Sequence, residues 1–150
     1  MVSGVEISAD SVRYAKHNAQ LNGVENATWI SPSRSPYLLT HAAGNAEAIF
    51  SSIEFPAAQT TVLIDPPRKG CDDAFLKQLI AFGPAHIIYV SCAFSLADER
   101  SRSAGNVHTQ ARDIGALVRD GNYLLKSLRG ADLFPQTHHV EGVGVLSRLQ

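Results

Sequence analysis

Short apolar runs of strand length alternate with stretches of helical periodicity, and this alternation restricts the fold more than any other feature of the sequence. It recurs from the first residues up to Gly121. The predicted strands are residues 2–7, 60–64 and 87–90, and the apolar stripes of the helices after them are Val12, Ala15 and Ala19, then Phe75, Leu76, Leu79 and Ile80, then Ala111, Ile114, Leu117 and Val118. The pattern predicts an α/β fold with an open, mostly parallel sheet.

The ends of the elements carry their own signals. Asp10 is predicted to cap the first helix, and Asn22-Gly23 is predicted to end it. Two further strand candidates, residues 123–128 and 139–146, follow the last helix with no helical stretch between them. They predict an antiparallel hairpin at the edge of the sheet.

Composition is typical of one globular domain over residues 1–150, with 45% hydrophobic and 18% charged residues. The formal net charge is −1. Free-standing nucleic-acid binders are usually basic, so an RNA substrate is expected to need contacts from outside this chain. The N-terminal residues lack the pattern of a secretion signal, and no apolar run has the length of a membrane span. We therefore expect an intracellular protein without a membrane association.

Several residues that invite a cofactor interpretation do not have the required spacing. The two cysteines, Cys71 and Cys92, are too few for a disulfide framework or a four-ligand zinc site. His138 and His139 are adjacent strand residues, which point to opposite faces, so they are not expected to share a metal ion. Residues 142–144 (GVG) end a strand rather than open a helix, and we do not interpret them as a dinucleotide-binding loop.

Three chemically active side chains follow or end predicted strands: Glu6, Asp65 and Cys92. Each also has a plain structural interpretation, as a helix cap, a turn residue and a buried inert thiol respectively. In open α/β sheets, however, ligands bind at the carboxyl ends of the strands. The shared position of these residues therefore favours a functional site at that edge.

Two parts of the sequence resemble the signatures of a known enzyme family. The first pairs residues 65–70 (DPPRKG) with residues 88–92 (IYVSC), and the second is residues 132–141 (DLFPQTHHVE). Residues 106–113 (NVHTQARD) and 4–6 (GVE) are similar to further stretches of the same family. Over most of its length the chain resembles the TrmA/RumA-type RNA uracil-5-methyltransferases.

The resemblance implies a Rossmann-like class I methyltransferase fold, S-adenosylmethionine as cofactor and a role for each of five residues. Cys92 matches the nucleophile that adds to carbon 6 of uracil, which activates the weakly nucleophilic carbon 5. Glu141 matches the base that removes the proton from carbon 5. Glu6 matches the residue that binds the ribose hydroxyls of the cofactor, Asn45 the residue beside its adenine, and Asp65 a residue near both cofactor and uracil.

Among RNA substrates, the T-loop uridine of transfer RNA (position 54) is preferred over ribosomal RNA, because the chain shows no cysteines that could bind an iron–sulfur cluster. A eukaryotic, fungal-type enzyme is expected. Two alternatives stay open at this point. Cys92 could serve a cysteine hydrolase together with one of the six histidines, or the chain could be a non-catalytic remnant that acts as a binding module.

The chain also departs from the family pattern. Two Ser-rich segments with Arg, at about residues 30–42 and 93–105, separate stretches that are contiguous in the family. We interpret them as translated short introns or an error of the gene model, or else as surface loops. The chain begins at the second strand of the expected fold, so the first strand and its Gly-rich loop are expected to be absent from it.

Overall fold

The computed structural model describes residues 1–6, 8–30, 50, 55–92, 107–137 and 139–149. The chain divides into two compact units, Met1–Glu54 and Phe55–Gln150. The described strands and helices alternate as expected, and the α/β class is confirmed. The predicted insertions at 30–42 and 93–105 lie outside the described residues, apart from Ile30, which ends a strand. They stay predictions.

Residues 1–6 and 8–30 of the first unit form a parallel pair of strands joined by a helix. Strand β1 (Val2–Val5) pairs with β2 (Ala27–Ile30), and helix α1 (Ala9–Leu21) connects them. The helix ends at Asn22, followed by Gly23 with φ of 63°, as the sequence predicts.

The predicted cap of α1 was wrong. Ser8, and not Asp10, is the N-cap: its backbone is extended and its hydroxyl accepts a hydrogen bond from the Ser11 amide at 3.2 Å. Asp10 lies in the first helical turn, where its carboxylate is 3.3 Å from the Arg13 guanidinium. Both residue types favour caps, and only the backbone conformation decides which of two such neighbours takes the position.

The described residues of the second unit form a four-stranded sheet with two α-helices and a short 3-10 helix, Ala57–Gln59. The strand order is β3-β4-β6-β5, with β3 parallel to β4 and with antiparallel pairing of β6 to both β4 and β5. The predicted C-terminal hairpin at the sheet edge is confirmed. The elements are β3 (Thr61–Ile64), α2 (Asp73–Phe82), β4 (His86–Cys92), α3 (Val107–Asp120), β5 (Tyr123–Ala131) and β6 (Glu141–Arg148).

The buried face of α3 differs from the predicted apolar stripe. Ala111 and Val118 are exposed, whereas Gln110 and Asp113 are buried beside the apolar residues at 114 and 117. These four buried positions have the spacing of one helical face. Two polar residues occupy that face because each finds a hydrogen-bond partner on the sheet.

The glycines of the GVG segment lie inside β6, where they allow α3 to approach the sheet. A Cβ on Gly144 would lie 3.0 Å from Ile114 Cδ1, and one on Gly142 would lie 2.5 Å from Gln110 Oε1. The segment therefore has a packing role, consistent with its exclusion as a dinucleotide loop. Within the described part of the chain, no helix has the length and apolar character needed to cross a membrane.

Candidate active site

The structure brings three of the predicted site residues to one edge of the four-stranded sheet. Asp65 follows the last residue of β3, Cys92 is the last residue of β4, and Glu141 is the first residue of β6. Since β3 and β4 are parallel and β6 runs against β4, these three positions lie at the same end of the sheet. This is the carboxyl edge at which ligands bind in α/β folds.

Cys92 and Glu141 are direct partners in the ladder between β4 and β6. The Cα atoms of such antiparallel partners are about 4.5–5.5 Å apart. The fold therefore places next to each other two residues that are 49 positions apart in the sequence (141 − 92 = 49).

Glu141 is an unusual residue for a sheet interior. Its side chain is buried, with 5% of the residue's surface exposed, and its Oε2 atom has no hydrogen-bond partner among the residues that the structure describes. A buried carboxyl oxygen without a partner is unfavourable for stability, so its presence in a native structure requires an explanation. A catalytic role is one such explanation.

Gln110 of α3 fixes the strand segment that carries Glu141. Its Nε2 atom donates to the carbonyl oxygen of Gly142 at 2.9 Å, and both residues are buried. Because any Cβ at position 142 would collide with Gln110 Oε1, only glycine permits this contact. Helix α3 thus contacts the backbone one residue after Glu141.

The segment that carries Asp65 is fixed by the same helix, one turn further on. Asp113 is completely buried, and its Oδ2 atom accepts hydrogen bonds from the Cys71 amide and from the Tyr89 hydroxyl, each at 2.7 Å. Its Oδ1 atom accepts from Arg112 Nε at 2.8 Å. Asp65 itself is exposed at the start of this segment.

Further contacts attach the backbone of the segment to α3. Arg112 Nη2 donates to the Cys71 carbonyl oxygen at 2.8 Å, and the Thr109 hydroxyl donates to the Arg68 carbonyl oxygen at 3.2 Å. Gly70 has φ of 79°, and a Cβ there would lie 2.7 Å from Asp113 Oδ2. The glycine is therefore required both by its backbone conformation and by the close approach of the carboxylate.

Cys71 is not suited to be the nucleophile. Burial, followed by the proximity of the Asp113 carboxylate, raises the pKa of its thiol from 9.0 to about 12. Burial and the hydrogen bond to Asp113 also raise the pKa of Tyr89. A thiol with this pKa is protonated at neutral pH, whereas the thiolate is the attacking species. Of the two cysteines in the sequence, Cys92 is the better candidate for nucleophilic chemistry.

Of the two remaining predicted residues, Glu6 is described and belongs to the first unit. Glu6 lies at the carboxyl end of β1, is exposed, and accepts a hydrogen bond from the Ser8 amide at 2.7 Å through Oε1. Its strand-end position is the one the sequence predicts. Asn45 lies outside the described residues.

The sequence interpretation did not identify Asp113 or Gln110. Their signal was present, since both have the helical spacing of the buried residues Ile114 and Leu117. A polar residue at such a position lies either at the exposed edge of the helix or beside a buried hydrogen-bond partner. The partners here are Gly142 for Gln110 and Cys71 for Asp113, which are 32 and 42 residues away along the chain.

The chain matches the family model described as tRNA (Uracil-5-)-methyltransferase over residues 1–149. It is 48% identical over 151 residues to the tRNA (uracil(54)-C(5))-methyltransferase of Schizosaccharomyces pombe, covering 99% of this chain and 24% of the relative. The enzyme of the same name from Saccharomyces cerevisiae is 46% identical over 152 residues, again over 99% of this chain and 20% of the relative. The chain thus spans about a quarter or less of the length of these relatives.

Solved structures agree with this assignment. The tRNA (uracil-54, C5)-methyltransferase of Pyrococcus abyssi, solved in complex with S-adenosyl-L-homocysteine, superposes with a TM-score of 0.61 and 27% identity, over 97% of this chain and 28% of that one. A putative O-methyltransferase from Klebsiella pneumoniae has a TM-score of 0.62 at 14% identity, over 99% of this chain and 61% of that one, and shares the fold alone. The resemblance predicted from the motifs is confirmed, and the chain belongs to the tRNA (uracil-5-)-methyltransferase family.

Proposed function

We propose that this chain is a catalytic segment of an S-adenosylmethionine-dependent methyltransferase that modifies carbon 5 of uridine 54 in transfer RNA inside the cell. Family membership and the names of the two fungal relatives support the reaction and the substrate. The observation that carries the proposal is the direct pairing of Cys92 with Glu141 at the carboxyl edge of the sheet, where Glu141 has a buried oxygen that no described residue contacts by a hydrogen bond.

The residues that would bind the cofactor fit its chemistry where they are described. Glu6 is an exposed carboxylate at the end of β1, just before the capped helix α1, and such residues accept hydrogen bonds from ribose hydroxyls. Asp65 is an exposed carboxylate at the end of β3, and Asn45 is proposed to lie beside the adenine. When bound, S-adenosylmethionine supplies the methyl group that carbon 5 of the uracil accepts.

In the proposed reaction, Cys92 acts first. Its thiolate forms a bond to carbon 6 of uracil, and the electron pair of the 5,6 double bond becomes available at carbon 5. Carbon 5 would then accept the methyl group: its bond to the sulfonium sulfur would break as the new carbon–carbon bond forms, and S-adenosylhomocysteine would leave. Covalent addition is needed because carbon 5 of free uracil is too weak a nucleophile for this transfer.

Glu141 acts after methyl transfer. Its carboxylate takes the proton from carbon 5, the double bond re-forms, and the bond between carbon 6 and the Cys92 sulfur breaks. The pairing of the two residues in one ladder suits this order of steps. Cys92 acts on carbon 6 and Glu141 acts on carbon 5, and these two carbons are adjacent in the uracil ring.

The proposal is tested with transfer RNA that carries 5-fluorouridine at position 54, using the complete methyltransferase that contains this chain. Fluorine cannot leave carbon 5 as a cation, so the covalent adduct should accumulate and migrate as a slow band in a denaturing gel. Cys92→Ser should abolish the adduct, and Cys71→Ala, the matched control, should retain it. An adduct that depends on Cys71 would refute the assignment.

Two results would favour the other interpretations. A complete protein that releases no heat when titrated with S-adenosylhomocysteine would indicate a non-catalytic remnant. Hydrolysis of acyl esters that requires Cys92 and ignores S-adenosylmethionine would indicate a cysteine hydrolase.

A further inference from the structure

The buried carboxylate of Asp113 connects two parts of the candidate site that are separate in the sequence. One oxygen, Oδ2, accepts hydrogen bonds from the main chain of residue 71 and from the side chain of Tyr89 in β4. A shift of the segment 65–71 relative to β4 would stretch one of these bonds, both of which are 2.7 Å long. The carboxylate therefore fixes the distance between segment and strand.

The register of the sheet shows how close this contact is to the reacting edge. Tyr89 pairs with Ile64, the residue immediately before Asp65. Tyr89 is also three positions before Cys92 on the same strand (92 − 89 = 3). The two ends of the segment are thus tied to β4, through the ladder at residue 64 and through Asp113 at residue 71.

Arg112 strengthens the attachment without lying in the sheet. Its guanidinium is 2.7 Å from Asp113 Oδ1 and donates to the Cys71 carbonyl oxygen, so residue 71 is held through both its amide and its carbonyl. The positive φ of Gly70 allows the chain to present both groups to α3. The contact therefore involves five positions: Gly70 and Cys71 of the segment, Arg112 and Asp113 of α3, and Tyr89 of β4.

We propose that Asp113 is a positioning residue that fixes the segment 65–71, and with it Asp65, relative to Cys92 at the end of β4. The proposal rests on the proposed function for its catalytic consequence. Its structural content, the attachment of the segment to β4 through one carboxylate, does not depend on that function.

A contact that only stabilised the fold would not need a buried carboxylate. At the opposite end of the same sheet, the equally buried Tyr123 hydroxyl donates to the main-chain carbonyl of Pro84 at 2.8 Å. Burying a carboxylate is unfavourable unless its oxygens are all paired, and Asp113 has such pairing on both oxygens. The arrangement gives a fixed geometry that a single neutral hydrogen bond does not give.

The two tyrosines provide a matched pair of variants for kinetics in the complete methyltransferase. Tyr89→Phe and Tyr123→Phe each remove one buried hydroxyl hydrogen bond, so both should lower the unfolding midpoint, Tyr89→Phe by more because its acceptor is a carboxylate. Only Tyr89→Phe should reduce kcat, by about tenfold or more, with KM values for both substrates within about twofold, because misplaced groups slow the chemical step. If kcat, normalised to folded protein, is equal in the two variants, the proposed effect of Asp113 on the reaction is wrong.

Hydrogen exchange tests the attachment itself and needs no activity. In the present chain, the Cys71 amide donates to Asp113 and the Gly70 amide donates to the Pro67 carbonyl. Tyr89→Phe and Asp113→Asn should accelerate exchange at these two amides by about tenfold or more relative to Tyr123→Phe. If exchange there is equal in all three variants, the proposal is wrong. An inactive wild-type enzyme would instead refute the proposed function, and the exchange comparison would still decide this proposal.

Discussion

The two ends of the four-stranded sheet use different polar groups. At the amino end of β4, the buried and part-buried side-chain bonds go to main-chain carbonyls: Tyr123 donates to Pro84, and Arg148 donates to Gly83 at 2.9 Å. At the carboxyl end, two carboxyl groups are buried instead, those of Asp113 and Glu141. Asp113 is bonded through both oxygens, whereas Glu141 has one oxygen without a partner in the described part of the chain.

The difference in buried polar groups suggests that the two ends of the sheet have different roles, one in stability and the other in the reaction. A buried main-chain carbonyl oxygen is neutral, and one hydrogen bond offsets the loss of its contact with water. The contacts at the amino end therefore stabilise the fold without burying a charge. Buried carboxyl groups lower stability unless they are paired, and they persist where position or proton transfer matters. Variants at the amino end should therefore change stability alone, whereas variants at the carboxyl end should change the reaction as well.

The largest expected effect is that of Glu141→Gln. The variant keeps the shape of the side chain but cannot accept the proton from carbon 5, so kcat should fall by about 10²- to 10⁴-fold. Addition and methyl transfer should continue, and the covalent complex with ordinary transfer RNA should accumulate.

The control for this variant is His86→Gln at the opposite end of β4, where the histidine is exposed and contacts Ser147. Denaturing gels with labelled RNA, together with methyl incorporation, measure both quantities. A Glu141→Gln enzyme that turns over at the wild-type rate would show that the comparison between the two ends is mistaken.

A second prediction concerns alkaline pH. The Cys71 thiol has a pKa of about 12 in the folded protein and 9.0 as the reference value for the unfolded chain. A raised pKa of this kind leaves stability unaffected below about pH 9 and lowers it as pH rises from about 9 towards 12. The loss from this residue is at most about 4 kcal/mol.

Urea unfolding at several pH values from 8 to 11 would measure this dependence, and Cys71→Ala should make it shallower. Part of the slope should remain in the variant, because burial also raises the pKa of Tyr89 and of Tyr123. A slope identical to that of the wild type would contradict the buried environment of Cys71.

Two glycines with positive φ allow the ends of the sheet to be compared directly. Gly70 (φ 79°) faces the Asp113 carboxylate, and Gly83 (φ 66°) faces the flexible guanidinium of Arg148. Alanine should destabilise at both positions because of the backbone conformation, by about 1–2 kcal/mol. At Gly70 the collision with buried groups should add about another 1 kcal/mol or more.

The reaction should separate the two glycine variants more clearly than stability does. Gly70→Ala displaces the segment that carries Asp65 and should lower kcat, whereas Gly83→Ala should leave kcat per folded molecule unchanged. Thermal unfolding and methyl incorporation on the same preparations check both statements. A reduced kcat in Gly83→Ala would mean that the amino end also influences the site.

The sequence predicted the elements better than the contacts between them. Apolar runs such as residues 60–64 and 87–90 identify strands locally, and Gly83 and Gly121 mark helix ends, so little tertiary information was needed. The positions of Asp65 and Cys92 at strand ends follow from the same local signals. The choice of Ser8 over Asp10 as the cap was missed, since both have the required side chain.

What could not be predicted depends on long-range geometry. The pairing of Cys92 with Glu141 requires the register of β6 against β4, which no local pattern specifies. The burial of Asp113 depends on partners at Cys71 and Tyr89, which belong to other elements. Residues whose environment is set by distant partners are the ones that sequence periodicity misassigns, and in this sheet they lie at the candidate site.

The smallest expected effect compares one polar contact from each end. Gln110→Met keeps the volume of a buried side chain but removes the bond to the Gly142 carbonyl, and should lower the free energy of unfolding by about 1 kcal/mol. Ser147→Ala removes the contact with His86 at 3.1 Å, which is exposed to water and should contribute almost nothing to stability.

Since Gln110 holds the backbone beside Glu141, Gln110→Met should also prolong the lifetime of the covalent RNA complex by a few-fold, and Ser147→Ala should not. Rapid-quench measurement of adduct decay distinguishes them. If Gln110→Met lost stability but released RNA at the wild-type rate, the contact would affect stability alone, like the contacts at the amino end of β4. The residues that affect the reaction at the carboxyl end would then be Asp113, Glu141 and Cys92.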